Sequence, residues 1–85
     1  MASEKLIGKI SHFFNNISVG IIDLSDKLAA GDKIHIKGSS TDFEQVVSSM
    51  QIEHREIKEA DAGQMVGIKV EQKVKEGDDV YKILE

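Results

Sequence analysis

Two segments, "LAAGDKIHIKG" at residues 28–38 and "VKEGDDVYKIL" at residues 74–84, decide the fold because they repeat each other. In each, an apolar residue stands three places before a Gly-Asp pair, and an alternating stretch follows. Gly accepts the positive φ of a tight turn, and the Asp after it can bond nearby backbone amides. A broader form of the pattern occurs three times: Leu28, Gly31, Ile34 and Ile36; Ala60, Gly63, Val66 and Ile68; then Val74, Gly77 and Val80, with Lys82 in the last place. Each copy reads as a corner that feeds a strand. Asp32, Asp78 and Asp79 lack the dense alternating oxygen ligands of a calcium loop, so the Gly-Asp pairs are corners and not metal sites.

The strands extend outward from these corners. Ile34 and Ile36 alternate with Lys33, His35 and Lys37, as in a half-buried strand. In "QMVGIKVEQ", Val66, Ile68 and Val70 share one face, and "DVYKIL" is a short final strand. Upstream, "LIGKISHFF" runs into the turn-forming pair Asn15-Asn16 and then into "ISVGIIDL", which reads as a hairpin. Residues 43–53 are ambiguous. Phe43, Val46, Val47 and Met50 have the spacing of a helix face, and Thr41 with Glu44 matches a capping box. Val46, Ser48, Met50 and Ile52 also alternate, between neighbours that are strands. Periodicity alone leaves both open.

With 85 residues, no Pro and no linker, the chain is expected to be one domain spanning 1–85. It has no Cys, so the fold must rest on packing and backbone pairing. The N-terminus has no apolar run long enough for a signal-peptide core, and no stretch approaches a membrane span, so the expected location is the cytoplasm. A net charge of −4 and only four aromatics, Phe13, Phe14, Phe43 and Tyr81, argue against a broad nucleic-acid surface. His12, His35 and His54 fall on different predicted strands without paired ligand spacing, so neither a metal nor another cofactor is expected. No stretch assembles a nucleophile, a base and an orienting acid, and no enzyme activity is expected.

In order and spacing, "GKI" at residues 8–10, "LAAGDKIHIKG", "FEQVVSSMQI", "EADAGQMVGIKV" and "VKEGDDVYKI" resemble the second domain of translational GTPases such as elongation factor Tu. They are similar also to small translation elongation factor-like proteins, and to the barrel at the C-terminus of collagenase-like peptidase family proteins that act in RNA modification. The resemblance implies an all-β, six-stranded Greek-key barrel with its core at about residues 6–84. It makes residues 43–53 a strand with Val46, Met50 and Ile52 inside. It also implies contact with transfer RNA or the ribosome. GTP is excluded, because no Gly-x-x-x-x-Gly-Lys-Ser/Thr loop is present. Ala62, Gly63, Val66 and Gly67 match the loop beside the pocket for the transfer-RNA end, with Gln64 and Met65 in its variable places.

Two functions follow as expectations. The first is a stand-alone binding module contacting RNA or the ribosome, through Lys33, His35 and Lys37 on one solvent-facing strand side, with Arg55, Gln64 and Met65. The second is a protein-interaction module for a partner that carries an active site, with no nucleic acid bound. Net acidity fits the second better. Its contact is Phe14 in "HFFNN", because neighbouring strand residues point to opposite faces and Phe13 and Phe14 cannot both turn inward.

Overall fold

The structure, a computed structural model, describes residues 3–84. The described residues are all-β, without a helix. Ten strands follow in chain order: β1 (Ser3–Phe14), β2 (Val19–Leu24), β3 (Leu28–Ala29), β4 (Lys33–Lys37), β5 (Asp42–Val46), β6 (Met50–Ile52), β7 (Arg55–Ile57), β8 (Glu59–Ala60), β9 (Met65–Lys69) and β10 (Asp79–Leu84). Eight pair in the order β5-β4-β10-β1-β2-β9-β6-β7, and β3 pairs with β8 apart from them. Every pairing is antiparallel.

The expected closure into a six-stranded Greek-key barrel is corrected here, because the backbone ladder is open and its end strands, β5 and β7, do not pair with each other. A side chain spans the gap beside β5. Gln45 Nε2 donates to the Lys69 carbonyl at 2.9 Å, and its Oε1 accepts from the Glu71 amide at 2.9 Å. A primary amide has a donor nitrogen and an acceptor oxygen on one planar group, as a peptide unit does, so it can replace one rung of a ladder. Gln45 is only 5% exposed, which makes these bonds costly to lose.

The three corners form as the repeat predicts. Gly31, Gly63 and Gly77 have φ of 96°, 89° and 91°, the third place of a turn that wants a residue without Cβ. In each corner the residue after Gly returns a side-chain oxygen to the amide three places back. Asp32 accepts from Ala29 at 2.9 Å, Gln64 from Asp61 at 2.7 Å, and Asp78 from Lys75 at 2.8 Å. Gln64 therefore does in the middle corner what Asp does in the others. Leu28, Ala60 and Val74, which precede the turns, are all buried, and Leu28 faces Ala60 across the β3-β8 pair.

The core is the inward set of these strands, with Ile7, Ile10, Ile22, Ile34, Ile36, Met50, Val66, Ile68 and Val80 at 1% exposure or less. Two register shifts, between Leu6 and Gly8 and between Ile10 and His12, bend the long β1 so that it serves both β10 and β2. The ambiguous segment is extended, but it is two strands and not one. Phe43, Gln45 and Val47 alternate inward, and Met50 is the next buried residue after a break at 47–49. The expectation that Val46 lies inside is corrected, since it is 51% exposed. Met50 is buried as expected and Ile52 is half-buried. A strand's two-residue steps followed by one three-residue step gave Phe43, Val47 and Met50 their helical spacing.

Candidate functional site

A shallow groove gathers exposed apolar side chains from β1, the turn after it, β2 and β9, against the β6-β7 hairpin. At the end of β1, Phe13 packs against the core, so Phe14 points outward. The turn that follows carries Ile17 at its tip and Ser18 at φ 55°. On β2, Gly20 and Ile22 face inward, which leaves Val19 and Ile21 on the groove side. On β9, Val66 and Ile68 face inward and Met65 and Gly67 face the groove. Ile21 lies opposite Gly67 in the register. Gly67 forms the floor, and a Cβ there would stand 3.3 Å from both Ile21 Cδ1 and Val19 Cγ1. Gln51, Glu53 and His54 form the far wall.

Phe14, Ile17 and Met65 are 50%, 62% and 48% exposed, so three large apolar side chains meet solvent in one place. Singly exposed apolar residues are ordinary, whereas such a cluster around a groove is the usual form of a contact surface. Phe14 and Met65 were named for unrelated reasons in the sequence and are brought together by the β2-β9 pairing. Ile17 was missed, because nothing local distinguishes a turn residue that is covered from one that is not.

The other sequence-derived candidates lie elsewhere. Arg55 is exposed on β7, beyond the hairpin turn, and does not line the groove. The Gln64 side chain is spent on its corner. Lys33, His35 and Lys37 share one side of β4, as expected, but β10 lies between β4 and β1, and none of the three lines the groove. That side is not basic. Lys33 Nζ lies 3.4 Å from Glu44 Oε1 on β5. The expected exposure of His35 is corrected. Its side chain is only 14% exposed, with Nδ1 2.6 Å from Glu4 Oε2 and Nε2 bonded to Asp42. Glu4 escaped notice because it is 31 positions away, and only the β1-β10-β4 register places it there.

This link sets an expected pH dependence of stability. The Asp42 hydrogen bond, with Glu4 behind it, raises the His35 pKa above its ordinary value despite burial, and the same bond lowers that of Asp42. The charged neighbours are Glu4 on β1, Asp42 and Glu44 on β5, and Lys33 and Lys37 on β4 itself; the Tyr81 ring on β10 lies 6.3 Å from the imidazole. A raised His pKa adds stability below its unfolded value of about 6.5 that is lost as pH rises through the folded value. A lowered Asp pKa adds stability above an unfolded value of about 3.9 that is lost as pH falls through the folded one. In EDTA, the melting temperature of the native protein minus that of His35→Gln should therefore be largest between about pH 4 and 6.5 and shrink at higher pH. A flat difference from pH 5 to 9 would remove the charged link.

No protein-family model matches the chain. Its fold is that of a small all-β domain found at the C-terminus of a Geobacillus thermoleovorans protein described as a U32 peptidase. The crystal structure of that domain superposes with a TM-score of 0.86 over 92% of this chain and 91% of the other, at 18% identity. Its selenomethionine variant gives 0.85 over 89% and 96%, again at 18% identity. In sequence, the chain is 42% identical over 80 residues to the uncharacterized protease MJ0090 of Methanocaldococcus jannaschii, a match covering 93% of this chain. The chain spans 20% of the length of that curated relative. Of the resemblances drawn from the motifs, the one to peptidase-associated barrels is matched by these similarities, and the one to translational GTPases is not.

Proposed function

We propose that the chain is a non-catalytic interaction module that serves a U32-type peptidase, docking onto the catalytic portion through the groove of Phe14, Ile17 and Met65. The observation that carries this reading is the 42% identity to a segment making up 20% of a protein named as a protease, which leaves the larger part of that protein for other work. The domain offers an apolar contact surface at this groove. A transfer-RNA or ribosome role draws less support, because Lys33 and His35 on the proposed RNA face are matched by Glu44, Glu4 and Asp42, and little positive charge is left for phosphates.

The test is a calorimetric titration of this chain into the MJ0090 protein lacking its matching segment. Saturable binding is expected, weakened about 10- to 30-fold by Phe14→Ser or Met65→Ser, the usual effect of truncating an apolar anchor worth 1.4–2 kcal/mol. Melting temperature should stay within a degree or two of the unsubstituted protein. If Phe14→Ser binds normally and melts early, the groove is packing and not contact. Absence of binding by the unsubstituted chain would overturn the reading itself.

A further inference from the structure

On the outward face of β4, three carboxylates converge on one imidazole. Glu4 comes from β1, Asp42 and Glu44 from β5, and His35 lies between them on β4. The ligand atoms of Glu4, His35 and Glu44 all lie within 4.8 Å of one another. We propose that Glu4, His35 and Glu44 form a binding site for a divalent transition-metal cation of the Zn2+ type, with His35 coordinating through Nδ1 and Asp42 orienting the ring through Nε2–H.

The geometry carries this in three steps. First, Asp42 accepts at Nε2, which places a ring proton there and leaves Nδ1 turned to Glu4 at 2.6 Å. A neutral imidazole in that tautomer would set a lone pair against a carboxylate oxygen, so a cation must stand between them, either a second proton or a metal. Metal-bound histidines characteristically donate their other N–H to a carboxylate, which is the place Asp42 holds. Second, a tetrahedral ion with bonds of about 2.0–2.2 Å needs ligand atoms about 3.4 Å apart. Glu4 and Glu44 have exposed side chains, so they can close the remaining distance, and water can take the fourth position. Third, one imidazole nitrogen with two carboxylates suits Zn2+ and its first-row neighbours better than Ca2+ or Mg2+, which favour all-oxygen shells. The competing cations are the Nδ1 proton of a charged His35, which the metal must displace, and the Lys33 ammonium, 3.4 Å from Glu44 Oε1, half-exposed and free to swing away.

None of this was visible in the spacing of His12, His35 and His54, because the ligands that matter to His35 are carboxylates supplied by strand register. The site is independent of the groove, so it stands or falls apart from the peptidase reading. The experiment is a titration of the intact chain with ZnCl2, and with MgCl2 for comparison, followed by calorimetry and by imidazole nitrogen shifts. One Zn2+ per chain is expected, with the shift at His35 Nδ1, and Mg2+ at least 10-fold weaker. Glu44→Gln keeps both His35 hydrogen bonds and should weaken Zn2+ at least 10-fold. His35→Gln should abolish binding, whereas His12→Gln and His54→Gln should leave it unchanged. Unchanged affinity in Glu44→Gln, or shifts centred on His12 or His54, would overturn the site. Should His35→Gln fail to fold, Glu44→Gln decides alone.

Discussion

Replacing Gln45 with Ala is expected to cost about 2–4 kcal/mol, because it removes a side chain that is only 5% exposed and leaves the part-buried Lys69 carbonyl and Glu71 amide without their partner, each at about 1–3 kcal/mol. For a chain of this size that corresponds to a fall in melting temperature of roughly 8–30 °C. Gln45→Leu separates the two contributions, since Leu refills much of the volume and restores neither hydrogen bond. It should recover little of the loss. Urea denaturation of the three proteins measures this directly, and a Leu variant as stable as the native protein would mean that the side chain only fills space.

The second large effect is expected at adjacent residues of β2. Ile22 is fully buried, and Ile22→Ala should cost about 2–5 kcal/mol through lost transfer energy and the cavity left behind. Ile21 points the other way, over Gly67, and Ile21→Ala should cost less than about 1 kcal/mol, within the range of partly exposed positions. The contrast tests the register itself, because a slip of one residue would exchange the two side chains. Equal losses for the pair would contradict the β1-β2-β9 pairing, whatever their size.

The fold was legible where local chemistry and periodicity agreed. At Gly31, Gly63 and Gly77 a residue without Cβ, an apolar neighbour and an alternating run all pointed to the same corner. The middle copy carries Gln64 instead of Asp, and its role follows from the spacing once the repeat is aligned. Residues 43–53 were legible as extended only through resemblance, because the break at 47–49 disturbs the period that sequence reasoning depends on. The expected burial of Val46 failed for the same reason. The open ladder with its side-chain bridge was not legible at all. Nothing in "FEQVV" says that Gln45 reaches the segment after β9, since that contact spans 24 and 26 positions and depends on the whole sheet being assembled.

The candidate sites divide along the same line. Phe14 was found from composition at a turn, a local signal, and Met65 came from resemblance. The groove uniting them, and the carboxylates around His35, are products of register, which a single sequence does not display.

The arrangement of the sheet ends has a consequence for self-association. An unpaired strand edge invites a second chain to add its own strand, and long, flat, apolar edges are the hazardous ones. At one end, β7 is three residues long and exposes Arg55 and Glu56, so it offers a short and charged template. At the other end, β5 carries the exposed Val46 and would be the better template, but Gln45, bonded to residues 69 and 71, ties that strand to the segment at the end of β9. The amide that completes the fold therefore also acts as a guard against aggregation. Loosening it would release the five residues of β5 as an adhesive edge for the next copy of the chain.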